Sequence, residues 1–117
     1  MKWTKYQKKA CGGYTPWADK DWLEHDPRRK EFEAFKKKHG FYPFELWNLD
    51  QEIVSFILPR LVYYREHLVS IPGNMTLEEY ETKLEACIEA LRHYLNNKPW
   101  NEKAFNDFMD LLPSLWQ

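Results

Sequence analysis

The chain of 117 residues is long enough for one domain with a hydrophobic core and too short for two. Its formal charge is −1 and its sequence pI about 6.4, without the dominant basic balance usual in nucleic-acid-binding domains. The longest apolar run, Ile53 to Leu58, is interrupted by Ser55, which excludes a bilayer-spanning helix.

The lysine-rich start has no apolar signal-peptide core behind it, so a cytosolic protein without a membrane partner is expected. Two cysteines, Cys11 and Cys87, are too few for a disulfide scaffold and form no Cys-x-x-Cys pair, so both are expected as reduced thiols. Residues 1–40 hold 11 Lys/Arg against 6 Asp/Glu and the remainder 6 against 12, a split of +5 and −6. Either the surface is bipolar with a basic arm, or the N-terminal segment packs on an acidic body and neutralises it. Acids interspersed among the lysines favour packing.

Residues 1–26 lack clear periodicity, and Gly12, Gly13, Pro16 and Pro27 punctuate this part of the chain. Trp3, Tyr6, Tyr14, Trp17 and Trp22 are too many aromatics for a disordered tail. An irregular N-terminal segment that wraps the domain and inserts rings into its core is therefore expected. Asp26 and Pro27 suit an N-cap and first helical position, and Gly40 suits a left-handed stop after about His39. Phe32 and Phe35 share the narrow apolar side of this helix, and Lys36, Lys37 and Lys38 oppose its dipole.

A second helix is expected after Asn48, which caps it with Gln51 as the reciprocal residue, and should run to about Val69. Gln51, Glu52, Ser55, Pro59, Tyr63, Glu66 and His67 project to one side, and apolar residues from Ile53 to Leu68 cover most of the rest. Pro59 then predicts a bend facing solvent. Thr76 and Glu79 form a capping box for a third helix ending near Leu95, with Met75 stapled against Tyr80. Leu77, Tyr80, Leu84, Cys87, Ile88, Leu91, Tyr94 and Leu95 give it the strongest amphipathic repeat in the chain. A last helix from about Asn101 to Leu112 presents Ala104, Phe105, Phe108, Leu111 and Leu112 to the core, and Pro113 ends it. No run alternates as a strand should. The expected architecture is a single all-α domain, a compact bundle of about four helices with an aromatic-rich wrap.

The segment Glu45, Leu46, Trp47, Asn48, Leu49, Asp50, preceded by Gly40 and Phe41 and followed by Phe56, Leu58, Pro59, Arg60 and Leu61, carries a resemblance. It resembles a group of small uncharacterised proteins encoded by phages and prophages of low-GC Gram-positive and related bacteria. Their pattern is a Gly-Phe stop, a Glu-Thr-Trp-Asn-Leu-Asp start, Pro-Arg-Leu in a long helix and a Thr-x-x-Glu cap. The match covers roughly residues 31–92. Leu46 stands where threonine is common and Tyr80 where tryptophan is common. The resemblance implies phage origin, hence the cytoplasm of a host bacterium, and assigns no catalytic residue.

Candidate chemistry is sparse. Asp50 suits the exposed amides of a helix start, and Arg60 and Arg65 suit pairing within the bundle. Gly40, Trp47, Asn48, Asp50, Pro59, Arg60, Thr76 and Glu79 are therefore read as structural. Glu89 and His93 stand one turn apart, but no second histidine pair accompanies them; no metal or other cofactor is expected. Neither cysteine has a histidine-bearing motif, no serine lies in a Gly-x-Ser-x-Gly elbow, and no phosphate-cradling loop is present. A non-enzyme is expected.

Two binding functions remain. Lys2, Lys5, Lys8 and Lys9 interleave with Trp3 and Tyr6, a mixture that can neutralise phosphates and stack on bases. Alternatively the six tryptophans, exceeding what a small helical core readily encloses, serve a protein interface or fill the core. Trp3, Trp17, Trp22, Trp100 and Trp116 are the candidates, and Ala86 with Ala90 offers a further close-approach stripe. The favoured expectation is binding to a host or phage protein, for a phage chain of this kind an inhibitor of a host defence enzyme such as a CRISPR nuclease. The alternative is a nucleic-acid-binding accessory protein.

Overall fold

The computed structural model describes residues 3–14, 21–96 and 102–115, and among these all regular structure is helical. Helices α1 Lys5–Ala10, α2 Arg29–His39, α3 Leu49–Glu66, α4 Leu77–Leu95 and α5 Glu102–Leu111 follow in order. Tight 3-10 turns at Asp21–His25 and Pro43–Leu46 bracket α2, and another at Leu112–Ser114 follows α5. Lys2, Trp17, Trp100, Asn101 and Trp116 lie outside the described residues.

The N-terminal segment is more ordered than its lack of periodicity suggests. Thr4 Oγ1 accepts from the Gln7 amide at 3.1 Å, and Gln7 Oε1 accepts from the Thr4 amide at 2.9 Å. These reciprocal bonds start α1. A side chain of α4 and the one capping its end then hold the far end of α1: Arg92 Nε donates to the Ala10 carbonyl at 2.7 Å and Asn96 Nδ2 to the Cys11 carbonyl at 3.2 Å. Gly12 closes this contact at φ +65°, where a β-carbon would stand 3.2 Å from Asn96 Nδ2.

Helix α2 begins at Arg29 rather than at Pro27. Asp26 is occupied instead by Arg28, whose amide and guanidinium both donate to its carboxylate, at 2.8 and 3.1 Å. Gly40 ends the helix at φ +88° and donates to the Lys36 carbonyl, the left-handed stop that glycine makes without strain. This helix does not join the central core. Phe32 and the fully buried Phe44 pack with Trp22 edge to face, at centroid distances of 5.0 to 6.2 Å, in a separate aromatic cluster.

Asn48 precedes α3 but makes no side-chain cap bond, and Gln51 does not return one. The Asn48 backbone, at φ −132° and ψ 56°, lies outside the extended conformation of a capping residue, and Gln51 is taken by the Tyr14 hydroxyl, which donates to its Oε1 at 3.0 Å. The helix stops at Glu66, short of Val69. There the His67 ring stacks on Tyr63 at 3.9 Å, with Nδ1 2.9 Å from the Tyr63 carbonyl.

The faces of α3 also depart from expectation. Ser55 and Pro59, expected toward solvent, are buried, because α1 lies along that side. Tyr6 donates to Glu66 at 2.9 Å and meets the Tyr63 ring edge to face. Val54, Leu58 and Leu61 enter the core, whereas Ile53 is half exposed.

Helix α4 is the axis of the molecule. Thr76 and Glu79 cap it reciprocally, and Tyr80, Leu84, Cys87, Ile88, Leu91 and Leu95 are buried along it. Cys11, Leu58, Phe108 and Leu111 complete the same core, with Met75 packed at its edge. Ala90 is buried within the chain while Ala86 is exposed, so this pair is no exposed stripe. Leu112 also leaves the expected core, being half exposed beyond the end of α5.

Candidate functional site

The antiparallel packing of α3 and α5 on α4 creates a large concave surface. Tyr94 of α4 donates to Asp50 at the start of α3, while Arg65 Nε near its end lies 2.9 Å from Glu85 Oε2. Cys87 Sγ lies 3.6 Å from the Ala104 carbonyl of α5, and Tyr80 Oη lies 3.0 Å from Ser114 Oγ beyond it. Both helices thus run opposite to α4 and parallel to each other.

A groove of about 700 Å³ separates them. Ile53, Phe56, Ile57 and Arg60 form one wall, Phe105, Phe108, Met109 and Leu112 the other, and Leu91 of α4 contributes from beneath. Phe56 and Met109 are each 60% exposed, Ile53 51% and Leu112 48%. Large apolar side chains from two helices therefore face solvent across one cavity, the arrangement of an interaction site. Periodicity alone missed it, since the exposed and buried apolar residues of α3 sit on adjoining sides.

Among the described residues, Arg60 is the one charged residue in this lining. Its Nη1 donates to the Phe56 carbonyl at 2.7 Å and its guanidinium lies 3.7 Å from the Phe56 ring centroid. No carboxylate among the described residues pairs with it, contrary to the expected ion pair. Arg65 does find an acid, Glu85. Arg60 and Tyr64 also line a second, more polar hollow of about 480 Å³ with Gln7, Pro59 and Tyr63.

The other candidate residues are dispersed. Trp3 is half-buried against Tyr14, edge to face at 6.4 Å, and packs on the core. Trp22 fills the aromatic cluster beside α2. Trp47 is 55% exposed despite its contact with Phe44. Lys5, Lys8 and Lys9 are exposed on α1, but the neighbouring rings of Trp3 and Tyr6 are engaged within the chain.

Asp50 is exposed and its carboxyl is held below the usual range, chiefly by the Tyr94 hydroxyl. Burial raises the Cys11 thiol to about 12 and the Cys87 thiol to about 11, keeping both protonated at neutral pH. Glu89 is bound by Arg92 at 2.7 Å, with His93 Nε2 at 3.9 Å. Among the described residues no cluster of three or more His, Cys, Asp or Glu is set to hold a metal ion, and no helix is long and apolar enough to cross a membrane. Comparison with protein-family models, curated proteins and solved structures finds no match.

Proposed function

We propose that this chain is a non-enzymatic protein that acts by binding another protein in the groove between α3 and α5. The observation carrying this reading is the convergence of Ile53, Phe56, Met109 and Leu112, each about half exposed or more, on one cavity. Fully burying one such side chain contributes roughly 1.5–3 kcal/mol, so covering four half-exposed ones supplies several kcal/mol of the association energy. In keeping with the phage resemblance, the partner is a host defence enzyme in the bacterial cytoplasm, of which a CRISPR nuclease is one example. Inhibition then follows from covering a surface that enzyme needs.

The test is affinity capture from host lysate with the natural chain and with Phe56→Glu and Met109→Glu in parallel. One stoichiometric protein that is lost with either variant supports the groove. Equal recovery with all three chains refutes it. The nucleic-acid alternative is tested by binding labelled DNA and RNA across a salt series, with Lys2, Lys5, Lys8 and Lys9 changed to alanine. Micromolar, lysine-dependent affinity that collapses with salt would favour that alternative.

A further inference from the structure

We propose that the groove takes an amphipathic helix of the partner, antiparallel to α3 and α5, with an acidic residue in its second turn facing Arg60. This deepens the protein-binding reading and rests on it.

The groove lining selects the conformation of the occupant. Among the described residues its polar side chains are confined to Arg60 and Tyr64, and the Tyr64 hydroxyl lies 3.0 Å from Tyr80 Oη and 3.2 Å from the Ser114 carbonyl. An extended peptide would bury amides and carbonyls against side chains that cannot satisfy them, at a cost of a few kcal/mol for each orphaned group. A helix satisfies its backbone internally and presents only side chains. From Ile53 to Tyr64 the α3 wall spans roughly 16 Å at 1.5 Å per residue. That length matches about three turns, carrying apolar residues at i, i+3 or i+4, and i+7.

Charge selects the direction. The starts of α3 and α5 lie at the same end of the groove, so an antiparallel occupant opposes both helix dipoles. Its N-terminus then lies toward Tyr64, and the Arg60 guanidinium, folded back over Phe56, meets an acid in the occupant's second turn, within the N-terminal half that favours negative charge. Arg60 retains guanidinium donors beyond the bond to Phe56 and has no carboxylate partner among the described residues. Asp50 marks the opposite end, where Tyr94 binds it and meets the edge of Phe105 in the groove wall at 5.9 Å. A basic residue in the occupant's last turn complements that carboxylate.

Two synthetic peptides of roughly 14 residues, with the same leucine spacing and the same hydrocarbon staple, provide the probe. One carries Glu in the second turn and Lys in the last; the other carries them reversed. Fluorescence anisotropy should show the Glu-first peptide binding the natural chain about fivefold more tightly. Arg60→Glu should invert that preference, and Met109→Glu should abolish binding of both.

Equal affinity for the two peptides overturns the orientation. Binding of neither overturns the helix proposal, and sedimentation then separates the causes. A dimer dissolved by Phe56→Glu makes a second copy the occupant. A monomer whose captured partner still depends on Phe56 leaves the protein-binding reading standing and only the helix refuted. A monomer whose partner is indifferent to Phe56 refutes both.

Discussion

The hydroxyls of Tyr64 on α3 and Tyr80 on α4 lie 3.0 Å apart, and both reach Ser114 beyond the end of α5. Three elements distant in sequence meet there, and Tyr80 is fully buried. Tyr80→Phe removes one hydroxyl and leaves polar partners behind, so it should cost about 1–2 kcal/mol. Urea unfolding should show a lower midpoint with an unchanged slope. Combined with Tyr64→Phe, the loss should be less than additive, since the two changes remove one shared network.

Leu58 and Phe56 stand two residues apart on α3 with opposite duties. Leu58 is fully buried and Phe56 is 60% exposed. Leu58→Ala should destabilise by about 2–5 kcal/mol through lost burial and a cavity. Phe56→Ala should cost below about 1 kcal/mol, mostly the stacking of Arg60, yet abolish partner capture. Parallel thermal melts and pull-downs measure the contrast.

The grip of Arg92 on the Ala10 carbonyl predicts protection of Cys11. At pH 8 the folded chain should resist thiol alkylation at both cysteines, because burial holds them protonated and inaccessible. Arg92→Met frees the end of α1 and should speed Cys11 labelling by about tenfold, the effect of ~1.4 kcal/mol on local opening. Cys87 should stay protected. Mass spectrometry after timed alkylation resolves the two sites.

Glu52 and Asp50 should act oppositely on stability with pH. Burial, then the charge of Glu45, raises the Glu52 carboxyl above its ordinary 4.5. The folded state therefore favours its protonated form, and this contribution is lost as pH rises through the raised value. Asp50 is lowered from 3.8, so its contribution is present at neutral pH and is lost on acidification. Glu52→Gln should raise the melting temperature at pH 7 and leave it unchanged below about pH 4. Tyr94→Phe should lower it at pH 7 and have less effect in acid. Melting curves across that range measure both slopes.

Local signals were strongest where neighbours in sequence complete one another. Thr76 with Glu79 and Gly40 after His39 act through bonds within a few residues, so the structure repeats them. Thr4 with Gln7 carried the same information, but a six-residue helix is too short to add a periodic repeat. Asn48 followed the same logic and made no cap, because its backbone is not held in the extended capping conformation and Tyr14, remote in sequence, takes the reciprocal residue Gln51.

The all-α character, the repeat along α4 and the principal helix ends are thus properties of the sequence itself, since backbone satisfaction and amphipathic spacing are local. The use of each side of α3 is a tertiary property. Its apolar residues extend nearly all round, and α4 covers only part of them. Packing of α1 and the turn after it, with Tyr6 on Tyr63 and Glu66 and Tyr14 on Gln51, covers the side that holds the buried Ser55 and Pro59, while α5 stands far enough away to leave Ile53 and Phe56 open. The groove therefore arises from the placement of neighbouring helices, because burial depends on which surface another element reaches.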